Sequence, residues 1–184
     1  MANFKVSMDL LKSLEFTNPT DVLHKNKIES DITYFGIYRI AHPNWSGWQK
    51  VDEVLSRVGV LSEASKILFA DEWLQGKVYQ FYKTNFWDMM KLDNIHSQKI
   101  ADEMFCFGVN AGVATSVKIA QKLVGIECDG VIGAMTISAL NACDEARFDN
   151  LFDMLEMEHY EKLIAKNPRL SVYHNGWNNR ANKI

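Results

Sequence analysis

Apolar residues recur at helical spacing almost from the start of this chain. Phe4, Met8 and Leu11 are followed by Glu15 at intervals of four, three and four, so all four share one face of a predicted helix. A carboxylate thus ends an otherwise apolar stripe. Either burial there favours its protonated form, or it marks the point where the helix leaves the core for water. Residues 17–47 lose the helical period and are rich in Asn, Asp, His, Pro and aromatic residues; within them Ile32 to Tyr38 has the composition of a short strand. The period returns with Trp48, Val51, Leu55 and Val58. A longer helix is predicted from Ser62 to Met90, starting at Ser62-Glu63 and with a kink or a close helix contact at Gly76. Further helices are expected over about residues 95–108, with Ile100, Met104 and Phe107 inward, and from Val113 to Val124, stopped by Gly125. A short one runs from Ile137 to Asn141 capped by Thr136, and a long one from Glu145 to Lys166 stopped by Pro168. The pattern is that of an all-α, mainly helical protein with a short irregular or β-containing insertion near residues 17–47.

Length and composition add bounds. At 184 residues one compact domain over 1–184 is the expectation, and 47% hydrophobic with 23% charged residues is the balance of an ordered globular chain. A net charge of -3 and a pI near 5.9 argue against nucleic acid as a partner. No apolar run reaches the roughly 20 residues of a membrane span, so stable membrane insertion is not expected. Lys5, Asp9 and Lys12 interrupt the N-terminal stretch, which therefore does not read as a signal peptide; synthesis in the cytoplasm is the expectation. Cys106, Cys128 and Cys143 are widely spaced and read as free, buried thiols.

The chemistry-bearing residues gather in the irregular segment. Glu15, Asp21, Glu29 and Asp31 lie close together in sequence, with His24, His42 and the aromatic residues Tyr34, Phe35, Tyr38, Trp45 and Trp48 among them. Glycoside cleavage needs a protonated carboxyl beside the leaving oxygen and often a second carboxylate, and aromatic faces pack on sugar rings. The same aromatic residues would also serve to pin a loop-rich segment, and periodicity does not separate the two roles. His24, Glu29 and His42 lack the His-Glu-x-x-His spacing of a zinc site, so no metal and no other cofactor is expected. Gly-x-Ser-x-Gly and phosphate-cradling glycine loops are absent from the sequence. Cys106, flanked by Phe105 and Phe107, reads as core and not as a nucleophile.

Several ordered motifs resemble one family. Leu14-Glu15, then Thr33-Tyr-Phe-Gly36-Ile37, then Ala41-His42-Pro43 are similar to the pattern of glycoside hydrolase family 108, historically labelled secretion-activating proteins. Phe107-Gly-Val-Asn110-Ala-Gly112, Ala120-Gln121, Asp129-Gly130-Val-Ile-Gly133-Ala-Met-Thr136 and Gly176-Trp177-Asn-Asn-Arg180 resemble the predicted peptidoglycan domain that commonly follows it. The two halves of the resemblance are residues 4–93 and 94–180. Where the family usually has two glycines after the Glu, this chain has Phe16 and Thr17; a second glycine pair is replaced by Ser30 and Asp31.

The resemblance implies a lysozyme-like fold and N-acetylmuramidase cleavage of peptidoglycan, with Glu15 as general acid. Glu29 and Asp31 are the candidates to assist it, and Thr33, Tyr34, Tyr38, His24, His42, Trp45 and Asn110 the candidates to bind substrate. Asn110 reads equally well as a helix cap ahead of Val113. A phage or prophage endolysin is the implied setting: a monomer whose partner is peptidoglycan, acting at the periplasmic wall after release. The alternative reading is a catalytically silent peptidoglycan-binding module.

Overall fold

The structure, a computed structural model, describes residues 1–26, 30–181 and 183–184, and of Asn178 and Asn179 the backbone alone. The described residues are 66% helical, in agreement with the mainly helical expectation. The chain falls into two compact units, residues 11–82 and residues 1–10 with 83–184; helix α1 (Phe4–Glu15) has residues in both. Among the described residues no helix is long and apolar enough to cross a membrane.

In the unit of residues 11–82, three two-residue strands form an antiparallel sheet, β1 (Leu23–His24), β2 (Thr33–Tyr34) and β3 (Ile37–Tyr38), followed by α2 (Trp48–Val58), α3 (Leu61–Phe69) and α4 (Glu72–Tyr82). The strand expected over Ile32 to Tyr38 is a hairpin instead. Phe35 and Gly36 form its turn with φ of 45° and 72°, the positive values that two-residue turns between twisted strands demand. A left-handed backbone costs a residue such as Phe about 1–2 kcal/mol. Burial of the Phe35 ring among Tyr34, Phe16 and Phe69 offsets that cost. Ser65 anchors β1 to α3, accepting the Leu23 N–H at 3.1 Å and donating to Pro19 O at 2.6 Å.

The single helix expected from Ser62 to Met90 is broken. Helix α3 starts at Leu61 after an extended Val60, and ends before Asp71, whose Oδ1 accepts the Leu74 N–H at 2.8 Å and so starts α4 afresh. Gly76 lies inside α4 without a break there; the interruption comes from the competing side-chain cap.

The other unit continues α4 as a π turn (Lys83–Trp87) and a 3-10 turn (Leu92–Asn94), then α5 (Gln98–Ala111), α6 (Val113–Leu123), α7 (Ala134–Asn141), α8 (Glu145–Lys166), a 3-10 turn (Pro168–Tyr173) and α9 (His174–Ala181). Helix α5 begins at Ser97, whose Oγ accepts the Ile100 N–H at 3.1 Å, and is buried on every side from Ile100 to Gly108, which makes it the central helix of this unit. Phe4 packs on Trp87 and Phe105, and Phe107 on Phe152 and Tyr160. The glycine-bearing turn at 128–133 hangs on buried Gln121, which donates to Asp129 Oδ1 (2.7 Å) and Val131 O (3.0 Å) and accepts the Gly130 N–H (2.9 Å). Thr136 lies within α7 and is no cap: α7 starts two residues earlier. Of the three free cysteines only Cys106 is buried; Cys128 is exposed and Cys143 half-buried, so the expectation of three buried thiols fails for two.

Candidate active site

Helix α1 delivers Glu15 as its last residue. Leu11, one turn earlier, is buried, whereas Glu15 is exposed at the surface. The next residue fixes the helix end. Phe16 donates its N–H to Lys12 O at 2.9 Å, and its ring lies 4.8 Å from that of Phe35. Lys12 Nζ sits 5.7 Å from the centre of the Phe35 ring and donates to Gln75 Oε1 at 3.1 Å; Gln75 Nε2 then donates to Tyr34 Oη at 3.2 Å. The end of α1 is thereby fastened to the β2–β3 hairpin and to α4.

The hairpin sorts its side chains by register. Leu23, Tyr34 and Ile37 pair across the sheet and are all buried, while His24, Thr33 and Tyr38 form the adjacent row. Successive strand residues point to opposite faces, so His24, Thr33 and Tyr38 share the face away from Leu23, Tyr34 and Ile37. Three residues expected to bind substrate are thus brought together. His24 and Tyr38 are half-buried and Thr33 is buried between them. His24 Nδ1 lies 2.8 Å from Asp21 O; a carbonyl only accepts, so Nδ1 carries the proton and Nε2 is the acceptor of the neutral ring. Tyr38 Oη accepts the Ser30 N–H at 3.2 Å.

Other expected site residues take different places. Tyr34, at 0% exposure, is a core strut that donates to Leu68 O at 2.9 Å and offers no face to a sugar; burial and the charge of Asp71 push its phenol well above the ordinary range. Trp45 is half-buried, with its Nε1–H directed at Lys77 O at 3.4 Å and its ring edge on Trp48. Trp48 is buried and donates to His42 O at 2.7 Å, with the Arg39 guanidinium 4.5 Å from its ring centre. These two indoles pin the loop. His42 is exposed, its ring against the edge of Phe81. Asp31 is half-buried and its Oδ1 accepts the Ile32 N–H at 2.7 Å. Glu29 lies outside the described residues. In the other unit, Asn110 is exposed in the last turn of α5 and donates to Tyr160 Oη; α6 is preceded by Gly112, so Asn110 is not its cap.

Two features escaped the sequence reading. A cleft of about 370 Å³ in the unit of residues 11–82 is lined by Gln49, Lys50, Glu53, Asp71 and Trp73. Trp73 is 52% exposed, and Lys77 Nζ lies 5.1 Å from its ring centre. The second is a group of acids between α5 and α8. Burial, joined by Asp149, Asp153 and Glu156, pushes Glu103 up to about 10. Burial likewise raises Glu156 to about 7 and Asp153 to about 6. Their spacing on α8 was the available signal: Asp149, Asp153 and Glu156 follow at intervals of four and three, the stripe an amphipathic helix normally gives to apolar residues.

Comparison with known proteins bears on this geometry. The family model described as glycosyl hydrolase 108 matches residues 25–112, and the one described as a predicted peptidoglycan domain matches residues 115–182. Over residues 25–112 the chain is thus similar to glycosyl hydrolase family 108, and over residues 115–182 to the peptidoglycan domain. The two matches together support a glycosidase acting on peptidoglycan. The solved structure of SagA from Brucella abortus is similar to this chain with a TM-score of 0.66 and 21% identity, over 98% of this chain and 90% of that one. That likeness shows the fold, which is mainly helical and lysozyme-like as the sequence led us to expect. No curated protein matches the chain. The family 108 match takes in the hairpin and begins ten residues after Glu15.

Proposed function

We propose that this protein is an N-acetylmuramidase, cleaving the glycan between muramic acid and glucosamine units with Glu15 as its general acid. The observation that carries the reading is the fastening of the Glu15 helix end, through Phe16 and Lys12, to the hairpin that presents His24, Thr33 and Tyr38 as one row. A glycan lying along that row would cover exposed Glu15, strip its water and favour its neutral, proton-donating form. Glu15 then protonates the bridging oxygen, the glucosamine 4-hydroxyl departs, and water adds to the oxocarbenium-like carbon of the muramic acid. Asp31 or Glu29 takes the proton of that water or steadies the developing charge. Their separation from Glu15 sets the stereochemistry, about 5–5.5 Å for retention and about 6.5–9.5 Å for inversion.

Mass spectrometry of the products tests the bond. Purified protein incubated with peptidoglycan should release fragments with new reducing ends on muramic acid. Reducing ends on glucosamine, anhydro-muramic ends or new amino groups would each refute the muramidase reading. Retention on insoluble peptidoglycan without new ends would make the chain a silent binding module. The proposal includes an endolysin role, in which a chain made in the cytoplasm reaches the periplasmic wall after release and acts there as a monomer.

The exposed Trp73 face, with Gln49, Glu53 and Asp71 beside it, has the composition of a sugar platform and is assigned to glycan beyond the cleaved bond. Trp73→Ala is expected to raise KM about three- to tenfold and leave kcat unchanged, the pattern of lost uniform binding worth about 0.5–1.5 kcal/mol. Steady-state kinetics on soluble glycan fragments measures this, and an unchanged KM removes the cleft from the site.

A further inference from the structure

We propose that Glu103, Asp153 and Glu156 form a binding site for a divalent, oxygen-seeking cation of calcium size that ties α5 to α8 in the unit of residues 1–10 and 83–184. One oxygen from each of the three carboxylates lies within 4.8 Å of the others. An ion with oxygen ligands at about 2.3–2.6 Å spans ligands up to about 5 Å apart, so the three carboxylates are close enough to share one. Magnesium, with ligands at about 2.0–2.1 Å in strict octahedral order, suits a tighter and more regular set of ligands than three carboxylates from two helices.

An independent observation points to a ligand. Glu103 and Glu156 are both 0% exposed, yet among the described residues both Glu103 oxygens and Glu156 Oε2 meet no hydrogen-bond donor, and neither does Asp153 Oδ1. Buried carboxylate oxygens without partners are costly, and proteins place such groups against partners or metals. The neighbours do not supply the want. Lys99 Nζ stands 4.0 Å from Glu103, beyond hydrogen-bond reach, and is engaged with Asp149 at 3.2 Å. Asp149 is itself an acceptor, so it can bond Glu103 only through a shared proton. Tyr160 donates to Glu156 Oε1 at 3.0 Å and leaves the other oxygen unmet.

Charge and access agree with a cation. Four carboxylates, with Asp149, face one ammonium, an excess of three negative charges when all are ionised; a divalent ion reduces it to one. Asp153 is only half-buried, which gives a path of entry and room for bound water to complete the six to eight ligands calcium takes. Oxygens from facing helices are the usual way a helical bundle builds a metal site.

The test uses terbium(III), a calcium-sized ion whose emission is excited through nearby aromatic rings. Tyr160 touches Glu156, and Trp177 stacks on Tyr160 with ring centres 4.4 Å apart, so both are placed to sensitise it. Titration of the full chain should give saturable emission at one ion per chain, displaced by excess calcium. Calcium at a hundredfold excess over Kd should raise Tm by about 5 °C or more, where sodium at equal ionic strength does not. Asp153→Asn, a half-exposed change that should fold, is expected to weaken calcium at least about tenfold. Glu156→Gln should abolish the emission. No sensitised emission from the wild type would overturn the site. So would emission of equal affinity in folded Asp153→Asn, or a Glu156→Gln protein more stable than a wild type that calcium leaves unmoved; the last outcome would mean that the acids share protons instead.

Discussion

Glu15→Gln is expected to lower the release of reducing ends from peptidoglycan by about two to four orders of magnitude, the usual contribution of a positioned general acid. Glutamine keeps the shape of the side chain and cannot donate the proton that the departing hydroxyl requires. The fold should scarcely register the change. Glu15 is exposed at the last position of α1, and a surface substitution of this kind moves stability by about 0.5 kcal/mol or less. Loss of activity with an unmoved Tm is therefore the signature of the proposed acid, measured by reducing-end assay and thermal melt on one preparation. Equal activity in wild type and variant would exclude Glu15 and make Glu29→Gln and Asp31→Asn the next changes to compare. Loss of activity together with a large fall in Tm would assign Glu15 to structure.

The sequence made the long-range order of this protein legible where residues obey one rule at a time. The stripe Phe4, Met8, Leu11 gives α1, and Pro168 closes the long helix α8, because burial periodicity and helix-stop signals act locally and agree. Reading failed where two local rules compete. Residues 62–90 read as one helix from their apolar period, and the break comes from one aspartate, Asp71, whose side chain outbids the helix for the Leu74 N–H. The hairpin was read as one strand because Phe-Gly is not a usual turn pair; Phe35 tolerates a left-handed backbone only through ring contacts that no local pattern contains.

The site was legible in part and for a related reason. The sequence named His24, Thr33 and Tyr38 as candidates without saying that they form one row, since that follows from strand register. Tyr34 differs from them by one position along the strand, and that single step sends it into the core. Trp45 and Trp48 turned out to pin the loop, whereas Trp73, set in a helix with no carboxylate motif to draw notice, is the indole with an open face. The acids of α8 were visible as a helix rich in charge; what hid them is that Glu103 reaches them from the facing helix α5.

Gly36→Ala should destabilise the protein by about 2–4 kcal/mol and lower Tm by on the order of 10 °C. Gly36 has φ of 72°, where any other residue is strained, and an added Cβ would stand 2.8 Å from Tyr82 Oη and 3.5 Å from Phe16 Cζ. The first contact is too short to survive. Tyr82 Oη donates to Phe35 O at 2.7 Å in a buried setting, so moving it costs that bond as well. A double-mutant cycle separates the causes. Tyr82→Phe alone gives up the hydrogen bond, and combined with Gly36→Ala it also removes the clash, so the double variant should be less destabilised than the sum of the two singles. Strict additivity would show that backbone strain alone sets the cost. The same variants bear on catalysis, because the turn that Gly36 shapes is packed on Phe16, the residue next to Glu15. If the hairpin positions the acid, kcat of folded Gly36→Ala, assayed well below its Tm, should fall about tenfold or more, since misplacement by about 1 Å costs up to about a hundredfold. An unchanged kcat in the folded variant would detach the hairpin from the chemistry and leave Glu15 to be positioned by α1 alone.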